Sequence, residues 1–379
     1  MVCAFRRAGV FRIVRVTKES TLCNYSQPGH RHSIFCILPP HILEHIAKNG
    51  DKAQRSFAVD TLSTDHTMRQ FRSTQAAFLQ KRSTAPMPTA AVPAAQISIY
   101  TATNTQTLPG TLVRGPGSGK SNDNSVDEAY DGLDETFIFY EQVLHRNSID
   151  DAGMPLIGTV HFGSNYDNAF WNGQQMVFGD GDGTLFNRFT IALDVIGHEL
   201  THGVTEHTAN LNYMGQPGAL NESVSDVFGS LIKQYKGKQT ASEADWLIGA
   251  GLLGKGAQGV ALRSMKAPGT AYDDPTLGKD PQPDNMKNYV HTTQDSGGVH
   301  INSGIPNHAF YLAAIELGGN AWDKAGRIWY ATLNDAHLKP SSTFRGFAQL
   351  TVANAVKLFG ANGAEASAVT KAWKTVGVL

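Results

Sequence analysis

The sequence is poor in cysteine, in charge and in long apolar runs, and each shortage excludes a class of protein. Of the 379 residues only 17% are charged, and the three cysteines all precede residue 37. The remaining chain therefore forms no disulfide of its own and offers no thiolate as nucleophile or metal ligand. A formal net charge of −1 removes the general electrostatic case for a nucleic-acid-binding protein.

Apolar runs are too short for a membrane segment, since a spanning helix needs about 18 or more consecutive apolar residues. Arginines interrupt every apolar stretch at the amino terminus, which leaves no core for a recognisable signal peptide. An Arg-rich, acid-poor start is also typical of a mitochondrial transit peptide or of an unstructured leader. Composition therefore leaves the compartment open.

Charge is divided unevenly along the chain. Residues 1–95 carry 13 Lys and Arg against 5 Asp and Glu, and the remainder carries 19 against 28. The net charges are therefore +8 and −9, so the two parts attract each other.

Pattern changes divide the chain into four segments. Residues 1–36 lack periodicity and predict a flexible leader, whereas 37–95 combine a short capped helix, further helix and a Pro/Ala-rich linker. Alternating apolar residues then indicate a β-rich lobe over 96–205, and helical spacing dominates 206–379. We expect an α+β fold of two lobes, with a cleft and the active-site helix near residue 195.

Two glycine-rich stretches resemble loops that bind phosphate or calcium, but each lacks a residue that its motif requires. Residues 115–121 lack the first glycine of a phosphate-binding loop, because Arg114 stands there. Residues 179–183 resemble a calcium loop, but Ile191 occupies the position of the glutamate that an EF-hand requires. Both stretches predict turns.

The sequence His-Glu-Leu-Thr-His at 198–202 carries the chemistry. A separation of four residues places His198 and His202 on one face of a helix, as two ligands of one metal ion. Glu199 is the carboxylate beside them, able to take a proton from a water molecule that the metal polarises.

Such a zinc site needs a third protein ligand. Thr205 and Thr208 stand where a metzincin carries glycine and histidine, so that class is excluded. The next helix offers Glu222 and Asp226 on one polar face. A carboxylate that completes a His₂Glu set is the better interpretation, and Asp226 suits a partner that holds a ligand imidazole.

Residues 96–379 resemble the thermolysin-like zinc metallopeptidases. The similarity rests on four blocks in the family's order: Asn-Ala-Phe-Trp-Asn-Gly at 168–173, Val-Ile-Gly-His-Glu-Leu-Thr-His-Gly-Val-Thr at 195–205, Gly-Ala-Leu-Asn-Glu-Ser-Val-Ser-Asp at 218–226, and Asp-Ser-Gly-Gly-Val-His-Ile-Asn-Ser-Gly-Ile-Pro at 295–306.

The resemblance implies one Zn²⁺ held by His198, His202 and Glu222, with Glu199 as general base. Zinc polarises the peptide carbonyl and acidifies water, while hydrogen-bond donors stabilise the developing oxyanion. The further catalytic residues that it implies are His300 as oxyanion donor, Asp295 as the residue that orients its ring, and Tyr213.

Substrate contacts are implied as well. Asn168 and Ala169 would bind the substrate backbone, and Arg263 a substrate carbonyl. The pocket for the first residue after the scissile bond is apolar, which predicts a preference for Leu, Ile or Phe there; plain core packing is the alternative. Its residues would be Phe186, Phe189, Val195, Ile248, Leu252 and Leu262.

Typical members bind a calcium pair near the second helix, and this chain departs from that pattern. Asp194 and Asp245 match calcium ligands, and an ammonium can neutralise them without metal. We therefore predict that the double calcium site is absent. The non-matching positions are Lys233, Leu247 and Ala250, and Val260 replaces a further calcium-binding Asp.

The amino-terminal part, with Pro-Pro-His-Ile-Leu at 39–43, resembles the protealysin-like branch with its short propeptide. This implies an inhibitory segment removed autocatalytically, which the opposite net charges fit; a mere amino-terminal helix is the alternative. Candidate cleavage points precede Met87, Val92 or Ile97. The resemblance also implies secretion, with a cytoplasmic protein released by a non-classical route as the alternative.

Two other functions use similar residues. A zinc aminopeptidase needs an acidic anchor for a free α-amine, and no such motif is visible. A zinc-stabilised binding module or pseudoprotease would tolerate loss of Glu199 or His300, and both are present. We therefore expect a monomeric endopeptidase that acts on peptides or proteins, with neither nucleic-acid nor membrane partners.

Overall fold

The first lobe is organised by a six-stranded mixed sheet in the computed structural model, which describes residues 35–79 and 95–379. Strands β2, β4 and β6 run parallel, and the remaining neighbours pair antiparallel. The strands, in sheet order, are β1 (Phe35–Cys36), β5 (Ala169–Trp171), β6 (Met176–Phe178), β4 (Leu156–Val160), β2 (Ile97–Thr101) and β3 (Thr111–Arg114).

Helices form the rest of the molecule. Two lie in the amino-terminal part, α1 (Pro40–Asn49) and α2 (Lys52–Leu79), and the first lobe contributes α3 (Asn124–Leu144) and α4 (Leu193–Glu206). The second lobe contains α5 (Gly215–Gly237), α6 (Asp295–Asn302), α7 (Gly304–Leu317), α8 (Arg327–Leu333), α9 (Phe344–Phe359) and α10 (Ala364–Thr375). Short two-stranded ribbons join β7 (Leu247–Ile248) to β8 (Arg263–Ser264) and β9 (Asp273–Asp274) to β10 (Gly278–Lys279).

The two central helices cross closely because glycines stand at their contact. A Cβ on Gly229 of α5 would lie 2.3 Å from the carbonyl oxygen of Asp194 on α4, and one on Gly197 would lie 2.7 Å from a methyl group of Ile232. Any larger residue at 229 would push the helices apart, since backbone cannot yield as a flexible side chain can. This contact places the polar faces of α4 and α5 against each other.

The α+β class and the division into a sheet-containing lobe and a helical lobe are confirmed. The predicted leader through residue 36 is wrong at its end, because Phe35 and Cys36 pair with Trp171 and Phe170 at the edge of the sheet. Backbone pairing of so short a segment leaves no periodicity in the sequence. In the part of the chain that the structure describes, no helix is both long and apolar enough to cross a bilayer.

The remaining segment boundaries stay predictions. The candidate cleavage points before Met87 and Val92, and the linker up to residue 94, lie outside the described residues. The third candidate precedes Ile97, which is the buried first residue of β2.

His161 joins two parts of the first lobe by ion pairs. Its Nδ1 lies 2.8 Å from Asp180 and its Nε2 lies 2.9 Å from Asp123, the residue that caps α3. The pKa of His161 is raised to about 9, chiefly by the hydrogen bond with Asp180. Burial lowers the pKa, and the hydrogen bond with Asp123 raises it further.

We expect the His161→Gln variant to lose stability in a pH-dependent way. Because the pKa of His161 is raised on folding, its contribution is fully present below its unfolded pKa of 6.5 and disappears as the pH rises through about 9. The variant should lose about 1 kcal/mol of unfolding free energy at pH 6, since the pair is partly exposed, and little at pH 10. Urea denaturation at both pH values measures this; an equal loss at both would contradict the account.

Candidate active site

Helix α4 presents two buried imidazoles on one face. The Nε2 atoms of His198 and His202 lie 3.0 Å apart, and both side chains are inaccessible to solvent. The spacing of four residues brings them one turn apart, as predicted.

Helix α5 adds a carboxylate to this pair. Glu222 Oε2 lies 3.5 Å from His198 Nε2, and Oε1 lies 3.5 Å from His202 Nε2. One donor atom from each of the three residues falls within 4.8 Å of the others. The structure therefore brings together the three predicted metal ligands.

Neighbouring side chains orient both imidazoles. His198 donates its Nδ1–H to Asp226 Oδ1 at 2.8 Å, and His202 donates its Nδ1–H to Asn221 Oδ1 at 2.8 Å, with Ser225 Oγ at 3.0 Å. These bonds select the tautomer whose Nε2 carries a free lone pair, which is the form that binds a metal.

The cluster fits a zinc ion. Two lone pairs facing each other at 3.0 Å repel, and no hydrogen-bond donor among the described residues reaches the buried Glu222 Oε2. A bound cation would relieve the repulsion between the lone pairs and compensate the charge of Glu222. Two imidazoles with one carboxylate are also a donor set of catalytic zinc sites. A zinc ion bound by His198, His202 and Glu222 supplies a Lewis acid that polarises the peptide carbonyl and acidifies water.

Asp226 connects the metal ligands to Arg263. Its carboxylate binds His198 and also accepts two hydrogen bonds from the Arg263 guanidinium, each at 2.8 Å, and one from Asn307 at 2.8 Å. Burial disfavours the charge on Asp226, but Arg263 and His198 outweigh it and hold its pKa far below the usual range. Asp226 is therefore an anion that holds both His198, a predicted metal ligand, and Arg263, a predicted substrate-binding residue.

Glu199 lies between the imidazoles and the edge of the sheet. Its side chain is buried, and its Oε2 accepts the backbone N–H of Trp171 on β5 at 3.0 Å. This contact holds the carboxylate against β5, the strand that pairs with β1.

His300 faces the same space from α6, whose first turn is irregular. Ser296, Gly297 and Gly298 adopt left-handed conformations, which bring Asp295 under the His300 ring with Oδ1 at 2.6 Å from Nδ1. Burial lowers the pKa of His300, but Asp295 and Glu222 outweigh it and raise the pKa to about 9. His300 is thereby held as a charged donor through Nε2.

Tyr213 completes the group of donors. Its hydroxyl donates to Glu222 Oε1 and lies 3.3 Å from His300 Nε2. Burial raises the pKa of Tyr213, and Glu222 raises it further, so the hydroxyl keeps its proton. Tyr213 and His300 thus place two donors beside the zinc ligands.

Residues from the amino-terminal part occupy the cleft. His300 Nε2 donates to the carbonyl of Cys36 at 3.0 Å, and Arg263 donates to the carbonyl of Ile37 at 3.0 Å. The Ile37 N–H donates to the carbonyl of Ala169 at 3.3 Å, in register with the pairing of β1 and β5. The residues predicted to bind a substrate backbone therefore hold this segment.

Helix α2 binds the same edge of the sheet from the other side. Asn168 receives the Leu38 N–H at 3.0 Å through Oδ1 and donates through Nδ2 to Asp65 at 2.9 Å. The hydroxyl of Tyr166 also donates to Asp65. The carboxylate of α2 thus fixes the amide that contacts the segment in the cleft.

The six residues predicted for the apolar pocket lie together in the main hydrophobic core. Their exposed fractions do not exceed 1%, and the fully buried Ile37 belongs to the same cluster. These residues are Phe186, Phe189, Val195, Ile248, Leu252 and Leu262.

Lys233 lies beside the two aspartates, Asp194 and Asp245, that the sequence predicts as possible calcium ligands. Its Nζ lies 2.8 Å from Asp194 Oδ2 and 2.9 Å from Asp245 Oδ1, and donates to the carbonyl of Leu247 at 2.7 Å. Burial lowers the pKa of Lys233, but the two carboxylates outweigh it and raise the pKa above its usual value. The ammonium lies among the groups that a calcium ion would need.

Sequence reasoning missed several residues of this site. Asn221 and Ser225 stand inside a quoted motif, and their spacing from Glu222 on α5 could have identified them as partners of His202. Asn307 directly follows the block at 295–306 and Cys36 precedes all four blocks, and no pattern marks either residue as part of the site. Their roles depend on tertiary contacts.

The fold and this site define a zinc-dependent peptidase class, and comparison with known proteins identifies the family. A model described as the thermolysin metallopeptidase catalytic domain matches residues 57–206, and one described as the thermolysin metallopeptidase alpha-helical domain matches residues 209–378.

Individual relatives agree. The chain is 54% identical to the extracellular metalloprotease of Pectobacterium carotovorum subsp. carotovorum over 347 residues, which cover 91% of this chain and 96% of the relative. It is 51% identical to protease PrtS of Photorhabdus sp. (strain Az29), covering 90% and 91%. The solved precursor of protealysin, a metalloproteinase from Serratia proteamaculans, superposes with a TM-score of 0.82 at 53% identity, covering 91% of this chain and 100% of that one.

The chain therefore belongs to the thermolysin family of metallopeptidases, in the branch that contains protealysin. Its enzyme class is zinc metalloendopeptidase, and the predicted family and class are confirmed.

Proposed function

We propose that this protein hydrolyses peptide bonds on the amino side of apolar residues, with one zinc ion bound by His198, His202 and Glu222. The observation that carries this proposal is the buried His₂Glu cluster with Glu199 directly beside it on α4. No double calcium site accompanies the zinc, because Lys233 takes its place.

Different residues of the cleft bind the substrate, transfer the proton and stabilise the developing negative charge. Asn168, Ala169 and Arg263 bind the substrate backbone in an extended form beside β5. Glu199 accepts a proton from the attacking water and passes it to the leaving amine. His300 and Tyr213 donate hydrogen bonds to the oxygen on which negative charge develops, and Asp295 keeps His300 charged and oriented.

The amino-terminal part is an inhibitory propeptide in this proposal. Support comes from the contacts of Cys36, Ile37 and Leu38 with the substrate-binding residues, and from the similarity to a precursor structure. A substrate cannot enter while this segment fills the cleft. The enzyme therefore processes itself before it acts on other proteins.

Secretion as a monomer completes the proposal. Secretion is supported by the similarity to the extracellular metalloprotease of Pectobacterium carotovorum subsp. carotovorum, and the alternative is a cytoplasmic protein released by a non-classical route. Its partners are peptides, proteins and its own propeptide, and neither nucleic acid nor membrane.

A peptide library with blocked amino termini tests the proposed specificity. The processed enzyme should cleave before Leu, Ile or Phe at least about 10-fold faster than before Ala, because the larger side chain buries more apolar surface. An aminopeptidase would cleave none of the blocked peptides. A preference for Asp or Lys after the scissile bond would contradict the apolar pocket.

Calcium should have no effect on the stability of the wild-type protein. The Lys233 ammonium already compensates Asp194 and Asp245, so a calcium ion would have to displace a buried charge pair. Thermal unfolding with and without millimolar calcium measures this. A calcium-dependent rise in Tm of several degrees that is absent in the Asp194→Ala variant would contradict this prediction and show that calcium binds at this site.

A further inference from the structure

The segment in the cleft binds the predicted substrate-binding residues through successive backbone groups. Strand β1 runs antiparallel to β5, with Cys36 opposite Phe170, and the chain continues toward Ala169 through Ile37. Successive backbone groups meet Ala169, Arg263 and then Asn168. These are the three residues to which the proposed function assigns the binding of a substrate backbone.

Two side chains donate hydrogen bonds to two successive backbone carbonyls of this segment. Their positions locate the peptide bond between the two residues. His300 reaches the carbonyl oxygen of Cys36 at 3.0 Å, and Arg263 reaches that of Ile37 at 3.0 Å. His300 Nε2 also lies 3.5 Å from Glu222 Oε2, so the Cys36 carbonyl is next to a zinc ligand. The bond between Cys36 and Ile37 therefore lies where a scissile bond must lie.

The residue that follows this bond suits the apolar pocket. Ile37 is fully buried and belongs to the cluster that contains Val195 and Leu262. Glu199, bound to the N–H of Trp171 on the strand beside it, is placed to serve this bond.

We infer that the precursor hydrolyses its own Cys36–Ile37 bond, in cis, as its first processing step. The inference rests on the proposed function. The oxygen of a water molecule bonds to the Cys36 carbonyl carbon, and the bond to the Ile37 nitrogen breaks. Glu199 carries both protons of the water to that nitrogen, one after the other, which leaves a Cys36 carboxylate and an Ile37 ammonium group.

This cut leaves the rest of the propeptide docked. Contacts that do not involve β1 hold it: His41 lies 3.1 Å from the Tyr272 hydroxyl, His45 lies 3.1 Å from the Thr276 carbonyl, and Asp65 binds Asn168. Full release therefore needs a second cut in the linker. Because the first cut takes place within one protein molecule, its rate constant is independent of protein concentration.

Addition of Zn²⁺ to metal-depleted full-length precursor tests the inference, read by intact mass and amino-terminal sequencing. We expect a product that begins Ile37-Leu38-Pro39-Pro40, formed with first-order kinetics that dilution does not change. The Glu199→Gln precursor should keep this bond intact, even when active wild-type enzyme is added. Ile37→Asp should slow the cut about 100-fold or more, because an unpaired carboxylate does not enter an apolar pocket, whereas Ile37→Leu should preserve it.

Failure of this inference differs from failure of the proposed function. If the linker is cut and blocked peptides are cleaved while the Cys36–Ile37 bond stays intact, the inference is overturned and the proposed function stands. A rate proportional to protein concentration overturns it as well. If zinc-loaded enzyme trimmed in its linker by added thermolysin cleaves no peptide, the proposed function itself is wrong.

Discussion

The Glu199→Gln variant of the processed enzyme should show kcat/KM for a Phe- or Leu-containing peptide reduced about 10²–10⁴-fold, the range that a positioned general base contributes. Glutamine keeps the shape of the side chain and the hydrogen bond from the Trp171 N–H. It cannot accept the proton of the attacking water. Stopped and continuous assays of quenched peptide cleavage measure the loss.

Glu206 provides the matched control for this prediction. It lies on the same helix, one turn beyond His202, and accepts a hydrogen bond from the Nε1–H of the same tryptophan at 3.3 Å, but it is not one of the three side chains of the metal-binding cluster. Glu206→Gln removes the same charge and should leave the peptidase activity unchanged. Glu199→Gln should also bind a full equivalent of zinc, because Glu199 is not a ligand. Loss of zinc in that variant would show that the activity fell for another reason.

The Asp226→Asn variant should lose both stability and metal affinity. Its carboxylate is fully buried and paired with Arg263, and removal of one partner of a buried ion pair costs about 3–5 kcal/mol of unfolding free energy. The hydrogen bond that orients His198 weakens with the charge, so zinc affinity should fall about 10–100-fold. Competition with a chelator measures the affinity, and urea unfolding measures the stability.

The Asp280→Asn variant separates the effect on stability from the effect on zinc affinity. This buried aspartate accepts backbone N–H groups of Gly269, Ala271 and Gln282 and makes no contact with the zinc ligands. Asp280→Asn should lower the unfolding free energy and leave zinc affinity unchanged. If both variants lost zinc affinity in proportion to their stability, Asp226 would be a structural residue without a role in holding His198.

The three residues of the metal-binding cluster could be predicted from the sequence, the two histidines from their spacing and Glu222 from its block in the family resemblance. His198 and His202 are one turn apart on any helix, and Glu222 stands on the next helix within a recognisable block. The close crossing that brings Glu222 to them depends on Gly197 and Gly229, which stand four residues or fewer from a functional residue but carry no chemical signal of their own.

The occupant of the cleft could not be predicted in the same way. The sequence places Cys36 in the predicted leader, since a strand of two residues has no alternation and pairs only through its backbone. No motif marks Asp65, and only the folded structure shows that it fixes Asn168. Contacts of this kind join residues more than 100 positions apart, so local patterns do not reveal them.

Zinc stoichiometry of the processed enzyme tests the central claim most directly. Metal-depleted enzyme should regain peptidase activity in proportion to added Zn²⁺, reach its maximum at one ion per chain, and show no further increase with calcium. The Glu222→Gln variant should bind zinc weakly and remain inactive at that ratio, because it lacks the third ligand. Full activity without zinc, or a maximum that requires two ions, would contradict a single His₂Glu site.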